Sequence, residues 1–467
     1  MLFSSVTFLF FFLPLVFGLY YVVPKNFKNY VLLFFSIVFY AWGGLLYLPL
    51  LLISIFINYI FGLKIGKYQE DIKSKKRVLI ISIIFNILFL GVFKYTNFIV
   101  DNINILFNTS INAPIIPLPI GISFYTFQAM SYVIDVYKND GNVQKNIFNL
   151  ALYISMFPQL VAGPIVRYQT VDDQISSREH NFDKFNSGME RFIRGLFKKV
   201  IISNTVGELS TIIYGLANYE MSVATAWLGA IAYTLQIYFD FSGYSDMAIG
   251  LGKMLGFDFL ENFNYPYIAK SVAEFWRRWH ISLGTWFRDY IYIPLGGNRV
   301  SEFKVYRNLA VVWFVTGVWH GASWNFVMWG VYFGLFIMME RLFLNKILKK
   351  LPNTIQHIYL LLIVVFGWVL FSQPDLTSAI DYMKIMLGMS GYPFINGYTT
   401  FYISQYWGIL VLAIIASTPI LKGISKTNVK IENIINLGKP IALVSLFIIT
   451  TVYLVNSTFN PFIYFNF

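Results

Sequence analysis

The 467-residue sequence contains no cysteine. That excludes disulfides, thiolate metal sites, a cysteine nucleophile and attachment of haem or acyl groups through sulfur. Charge is scarce as well. Only 12% of residues are Asp, Glu, Lys or Arg, against about 25% in an ordinary soluble domain. Histidine occurs four times, at positions 180, 280, 320 and 357. The chain has no Gly-x-Ser-x-Gly elbow, no His-Glu-x-x-His and no P-loop, which sets aside the hydrolase, metalloprotease and nucleotide-cradle chemistries those patterns carry. No cluster offers three metal ligands at short spacing, so no bound metal or cofactor is expected. The first residues lack a basic run, and the apolar stretch to Val23 lacks a small-residue cleavage site. It reads as a first spanning helix and not as a removable signal.

Apolar residues fill the space left by charge. They make up 57% of the chain, with 47 Phe and 32 Tyr, and the mean hydropathy is +0.61. Such a chain has too little polar surface to cover itself in water, and lipid removes the need. A spanning helix takes about 20 apolar residues. Stretches of that kind fall at 4–23, 30–62, 78–98, 147–165, 192–214, 223–240, 308–340, 357–373, 405–421 and 440–458. The second is long enough for two segments, broken near Gly43-Gly44. Residues 115–134 are apolar but interrupted by Pro117, Pro119 and Gly121, a broken or re-entrant helix that only protein can shelter. The expectation is an all-α polytopic membrane protein with roughly 10–12 such segments, forming a single domain over residues 1–467. The net charge of +12 sits in short runs between apolar stretches: Lys73 to Arg77, Arg341 to Lys350, and Lys422, Lys426 and Lys430. Cytoplasmic anchoring explains these runs; nucleic acid is not an expected partner.

The region 240–307 mixes aromatic, glycine and charged residues between strongly apolar neighbours. It reads as an aromatic and basic interfacial layer that dips into the protein. Within it Asp240 and Asp246 flank a Gly-Ser turn, where pairing with a nearby arginine is expected ahead of cation binding. Glu274 stands four residues before Arg278, the spacing of a helical ion pair. His280 ends the run Trp276-Arg-Arg-Trp-His280. That run is either an interfacial anchor or a site where Arg277 or Arg278 meets phosphates of an acyl carrier. His320 lies inside a long apolar stretch, so an ionisable group is expected at membrane depth, where it marks a functional site. At helical spacing Thr316 and Trp324 share its face, with Gly317 and Ser323 adjacent. Low polarity keeps an imidazole neutral and able to accept a proton, as a general base must; the other reading is a buried histidine bonded to a neighbouring helix. Gly163-Pro164 ends an apolar segment and lets Arg167 emerge near a cavity or interface. His180, in a polar loop, is expected to be solvated, and His357 to sit where a spanning segment begins.

Three runs now carry a resemblance: Glu261-Asn-Phe-Asn-Tyr-Pro-Tyr267, Glu274-Phe-Trp-Arg-Arg-Trp-His280, and Trp286-Phe-Arg-Asp-Tyr-Ile-Tyr-Ile-Pro-Leu-Gly-Gly-Asn-Arg299. With Trp319-His-Gly-Ala-Ser-Trp324, Gly163-Pro-Ile-Val-Arg-Tyr168 and the ending Asn460-Pro-Phe-Ile-Tyr-Phe-Asn-Phe467, the chain resembles the membrane-bound O-acyltransferase (MBOAT) family. Within it, the branch that O-acetylates alginate and peptidoglycan (AlgI-like and PatA-like) is the most similar. The resemblance covers essentially the whole chain.

The resemblance implies a helical bundle around a funnel or tunnel that narrows at mid-membrane, with His320 the essential catalytic residue and His280 a second one nearer the cytoplasm. Arg277, Arg278, Trp276, Trp319, Trp324, Ser323 and Asp289 are then expected around donor and substrate. The donor implied is acetyl-CoA or another acyl thioester carrier, and the acceptor a hydroxyl on a cell-surface or exported polysaccharide. A secreted or membrane-anchored SGNH-type acetyltransferase is the implied protein partner, because this chain carries no SGNH motif. The implied location is the bacterial inner membrane, multi-pass. A transporter or flippase, or a membrane scaffold for a secreted transferase, shares the apolar segments. Neither accounts for both histidine motifs.

Overall fold

The computed structural model describes all residues except 115, 161–162, 421–428, 458 and 464–467, with the side chains of 218 and 429–436 also outside the description. Lys422 and Lys426 of the third basic run therefore lie outside the described residues. Every regular element among the described residues is helical, as the composition predicts. The chain divides into two compact units, Met1–Phe192 with Ser245–Leu260, and Ile193–Tyr244 with Glu261–Phe467.

The first unit holds helices α1 (Leu13–Val22), α2 (Lys28–Gly44), α3 (Leu48–Lys67), α4 (Ile72–Phe107), α5 (Ile122–Lys138), α6 (Ile147–Ser155), α7 (Phe157–Leu160) and α8 (Tyr168–Ser176), and most of α9 (Phe182–Phe197). The break expected near Gly43-Gly44 is there: α2 ends at Gly44 and a short 3-10 turn, Leu45–Tyr47, leads into α3. The Pro-Gly interruption at 117–121 also acts as read. Gly121 adopts φ 73°, a left-handed conformation open to glycine at little cost, and α5 starts directly after it. Residues 122–136 of α5 are all buried, so its polar groups Gln128 and Asp135 are sheltered by protein, as the membrane requires. A buried Asn58–Asn86 amide pair, bonded in both directions at 3.1 and 2.8 Å, ties α3 to α4. Phe3, Phe8, Phe12, Phe39 and Phe157 pack ring on ring beneath α1 and α2.

The second unit continues with α10 (Asn204–Tyr214), most of α11 (Val223–Met254), α12 (Val272–Arg278), α13 (Ile281–Phe287), α14 (Glu302–His320), α15 (Trp324–Met339), α16 (Asn345–Leu348), α17 (Asn353–Ser372), α18 (Leu376–Met386), α19 (Gly397–Ala416) and α20 (Val429–Asn456). Here α11 departs from the sequence reading. The segment expected to stop at 240 continues unbroken to Met254, and Asp240-Phe-Ser-Gly-Tyr-Ser-Asp246 is helix, not a turn. Gly243 is kept by packing: a Cβ there would lie 2.8 Å from the Gly195 carbonyl oxygen. The two aspartates find cations, Lys199 for Asp240 and Arg191 for Asp246. The core of this unit is a buried aromatic cluster built on Trp279, Trp329, Trp368, Phe275 and Phe333.

Among the described residues, six stretches are long and apolar enough to cross a membrane: Lys25–Lys67, Ile72–Phe107, Trp324–Leu348, Asn353–Ser372, Gly397–Ala416 and Leu437–Asn456. Their outer faces are bare hydrocarbon. Along α4, Ile80, Ile81, Ile84, Ile87, Leu88 and Val92 are all exposed, a contiguous apolar face that water would not tolerate and lipid solvates.

Candidate active site

His280 is placed by a short, heavily tethered helix. Ser271 caps α12 by accepting the Glu274 amide at 3.1 Å. The buried Glu340 carboxylate accepts the next two amides, Val272 at 2.6 Å and Ala273 at 3.0 Å. The expected Glu274–Arg278 pair forms at 2.9 Å. Trp279 then leaves the helix, and His280 turns the chain with φ 45° and ψ 53°, a left-handed conformation uncommon outside Gly, Asn and Asp. Strain of that kind persists only where the surroundings fix it, and here one residue does the fixing. Asn262 accepts the Ile281 amide on its backbone oxygen at 3.0 Å. Its side-chain Oδ1 accepts the Ser282 amide at 3.2 Å and the Ser282 hydroxyl at 2.8 Å. The same Oδ1 lies 3.1 Å from His280 Nδ1. An oxygen already accepting from an amide N–H must accept from Nδ1 too, so the proton sits on Nδ1 and the lone pair on Nε2.

His320 is the last residue of α14, and the chain turns through Gly321–Ser323 into α15. The apolar stretch read as one segment is thus a helical hairpin, with the histidine at its tip. Thr316 does share a face with His320. Trp324 does not, because the helix ends before it; it opens α15 and is 54% exposed. Ser323 hydrogen-bonds Asn325 across the start of α15. The hairpin's arms touch backbone to backbone: a Cβ at Gly330 would stand 2.4 Å from the Trp313 carbonyl oxygen and 2.9 Å from Gly317 Cα. Around His320 stand three rings, Trp329 at 4.8 Å, Trp319 at 5.0 Å and Phe371 at 5.4 Å between centroids. Both imidazoles are buried, and they lie within electrostatic reach of each other.

Two cavities approach this pair. One, of about 460 Å³, is lined by His280 with Trp276, Arg277, Arg288, Trp313 and Thr316. The other, of about 810 Å³, is lined by Gln236, Asn325, Phe326, Phe371 and Ser372. Phe371 touches His320 and also lines this cavity. The first cavity adjoins residues 309–316 of α14; the second lies at the hairpin tip and the end of α17. Of the residues singled out from sequence, Trp276, Arg277 and His280 share the first cavity, and Trp319 packs on His320. Arg278 is occupied by Glu274 and the Asn264 carbonyl, and Asp289 by Arg288 at 2.6 Å. Asn262, Glu340, Arg288 and Phe371 were missed. Asn262 stood in a quoted motif, but nothing in its spacing pointed to an imidazole eighteen residues on.

His180 also departs from expectation. It is half-buried, with Nε2 2.9 Å from the Tyr20 hydroxyl. His357 Nδ1 meets the Ala269 carbonyl at 3.1 Å.

The fold is that of a helical membrane protein with two buried histidines, His280 lining one cavity and His320 touching a ring, Phe371, that lines another. The membrane-bound O-acyltransferase family matches residues 45–379, and the chain belongs to that family and is an O-acyltransferase. Over 383 residues it is 45% identical to the probable alginate O-acetylase AlgI of Azotobacter vinelandii, covering 81% of this chain and 76% of that one. It is 35% identical to the peptidoglycan O-acetyltransferase of Helicobacter pylori, over 84% and 80% of the two chains. The teichoic acid D-alanyltransferase of Bacillus subtilis is 28% identical over 54% and 67%. Membership settles the choice between an enzyme and a transporter or scaffold without transferase chemistry.

Proposed function

We propose that the protein takes an acetyl group from a thioester donor, acetyl-CoA or an acyl carrier, on the cytoplasmic side. It delivers the group to a hydroxyl arriving from the other side, for O-acetylation of a cell-surface or exported polysaccharide. The observation that carries this reading is that one cavity is lined by His280 and a second by Phe371, the ring that touches His320. Arg299 precedes α14, whose first turns hold Lys304 and Arg307, and the residues after α15 include Arg341, Lys346, Lys349 and Lys350. Basic residues at that end make it cytoplasmic. The cavity with His280 lies toward this end and offers phosphates Arg277, which has no ion-pair partner among the described residues, while Arg288 on the same wall is paired with Asp289. The cavity behind Phe371 lies toward the opposite end and suits a sugar hydroxyl, or the hydroxyl of an SGNH-type partner that finishes the transfer in the bacterial inner membrane.

In the reaction His320 accepts the acceptor hydroxyl proton, the oxygen attacks the thioester carbonyl, the C–S bond breaks and the thiolate leaves. His280, held in one tautomer by Asn262, orients the donor beside Trp276. The rings around His320 keep water out and strengthen the local electrostatics. The test is His320→Ala in proteoliposomes supplied with labelled acetyl-CoA. Removal of a general base lowers the transfer rate by about 10²- to 10⁴-fold. A well-folded variant with an unchanged rate removes His320 from the chemistry.

A further inference from the structure

Outside the histidine pair, the first unit contains a cavity whose lining nothing in the acyl-transfer reading uses. It measures about 340 Å³, and its walls include Lys25, Lys28, Asn29, Asn149, Arg178 and His180, with no carboxylate among the lining residues. A ligand site of this volume is ordinary; the charge arrangement is not.

Arg178 is 9% exposed. Its Nε donates to the Tyr20 hydroxyl at 3.0 Å and the Leu255 carbonyl at 3.2 Å, and Nη1 donates to Asn29 Oδ1 at 2.7 Å. Its Nη2 has no hydrogen-bond partner. The guanidinium lies 4.5 Å from the centre of the Phe257 ring and 5.7 Å from that of Tyr20. Lys28 Nζ stands over the rings of Tyr20 and Tyr21 at 4.9 and 5.0 Å. Among the described residues, none of Lys25, Lys28 and Arg178 forms an ion pair with a carboxylate. Aromatic faces hold Lys28, and aromatic faces with neutral oxygens hold Arg178, without neutralising either; Lys25 is exposed at the cavity mouth. A buried cation left without a counter-charge is costly. Asn29 donates its amide hydrogens to Asn149 and the Ile175 carbonyl, and Asn149, which accepts on Oδ1, keeps its own amide N–H group as a donor for an anion.

The cavity's position agrees with this. Asn29 bonds Asn149 at 3.1 Å. Further along the same chain segment, Val143 packs on Gly66, and Lys75 Nζ reaches Asn139 at 3.1 Å. The cavity therefore shares one end of the unit with the Lys73–Arg77 run, the end that faces the cytoplasm by the distribution of basic residues. A merely anchoring arginine would be exposed with its head in water; Arg178 is enclosed.

We propose that this cavity is a phosphoryl-binding site, taking the phosphate of an anionic lipid headgroup or of a soluble phosphate-bearing molecule. The residues all belong to the first unit and the histidine pair to the second, so the proposal stands independently of the acyl-transfer reading. The test uses the full chain in detergent, with binding followed by thermal shift and calorimetry. The probes are pyrophosphate, dioctanoyl phosphatidylglycerol and, as a charge-neutral control, dioctanoyl phosphatidylcholine, all at matched ionic strength. The wild type is expected to bind pyrophosphate or phosphatidylglycerol, and Lys25→Gln/Lys28→Gln to bind on the order of tenfold more weakly. Preference for phosphatidylglycerol identifies a lipid headgroup, and preference for pyrophosphate a soluble ligand. Arg178→Gln should abolish binding; if that variant fails to fold, the double lysine variant decides. Absence of binding, equal binding of phosphatidylcholine, or an affinity unchanged by the lysine substitutions overturns the proposal.

Discussion

Asn262 holds His280 through an oxygen that serves three donors at once, and its removal has two separable effects. The Ser282 amide loses its acceptor, and the imidazole loses the contact that fixes its tautomer. Asn262→Ala is expected to cost about 1–3 kcal/mol of stability, the usual penalty for orphaned buried donors, read as a lower melting temperature in detergent. It should also lower acetyl transfer while leaving the protein in the membrane. Asn262→Asp keeps the acceptor and should retain more activity than the alanine variant. His180 gives a pH prediction of its own. Burial first, then the positive charges of Lys28 and Arg178, pull it down to about 4 from the ordinary 6.5, with Lys184 acting in the same direction. Between those two values the unfolded chain binds a proton that the folded chain refuses, so the His180 contribution is complete above pH 6.5 and is lost as the pH falls toward 4. Melting temperatures measured from pH 7 to 4 should fall less steeply in His180→Gln than in the wild type.

At the scale of elements, the α14–α15 hairpin depends on glycine at its crossing. Gly330→Ala would push the Trp313 carbonyl and Gly317 apart, and that displacement passes straight to His320 at the tip. A shift of about 1 Å at a reacting group costs roughly 10²-fold in rate, so this variant should assemble in the membrane yet transfer acetyl far more slowly. The Lys199–Asp240 pair joins a π-helical turn, Lys198–Ser203, to α11 at 2.7 Å with both side chains 1% exposed. Asp240 also accepts the Ile463 amide at 3.0 Å, and Lys199 bonds the Pro461 carbonyl. Lys199→Met strands a buried carboxylate and should cost about 3–5 kcal/mol, which Lys199→Met/Asp240→Leu partly restores; denaturation in detergent would show both. Sequence disclosed the break at Gly44 and the helix start after Gly121 because glycine and proline act locally. It hid the hairpin turn at Gly321, since an apolar run looks the same whether one helix or two pass through it. It also hid the continuity of α11: glycine and serine in Gly243-Tyr-Ser245 mimic a turn, but the close packing of Gly243 on Gly195 is a property of two helices.

For the molecule as a whole, composition alone disclosed the class. Scarce charge and abundant aromatic residues leave no soluble solution, and the exposed isoleucine face of α4 is where that shortage shows. The two histidine motifs stood out as candidates because ionisable residues are expensive in apolar surroundings. Their partners were not, since Asn262 meets His280, and Phe371 meets His320, only through tertiary packing. The basic cavity went unread for the same reason, its cations coming from positions 25, 28 and 178. If the donor enters from the cytoplasmic side, proteoliposomes with this protein should consume acetyl-CoA only when it is supplied to the face carrying Arg341 and Lys346; equal consumption from either face would contradict that orientation.

Phe371 both touches His320 and lines the larger cavity, so if the acceptor arrives through that cavity the ring is placed to act as a stopper. Water is smaller than any sugar and is also a nucleophile, and a ring that yields to one guest must still turn away the other. Trimming it in Phe371→Ala should leave thioester cleavage running with water in place of the acceptor hydroxyl, so that acetate is shed instead of passed on. The ratio of free acetate to acetylated product then reports how tightly this doorway closes.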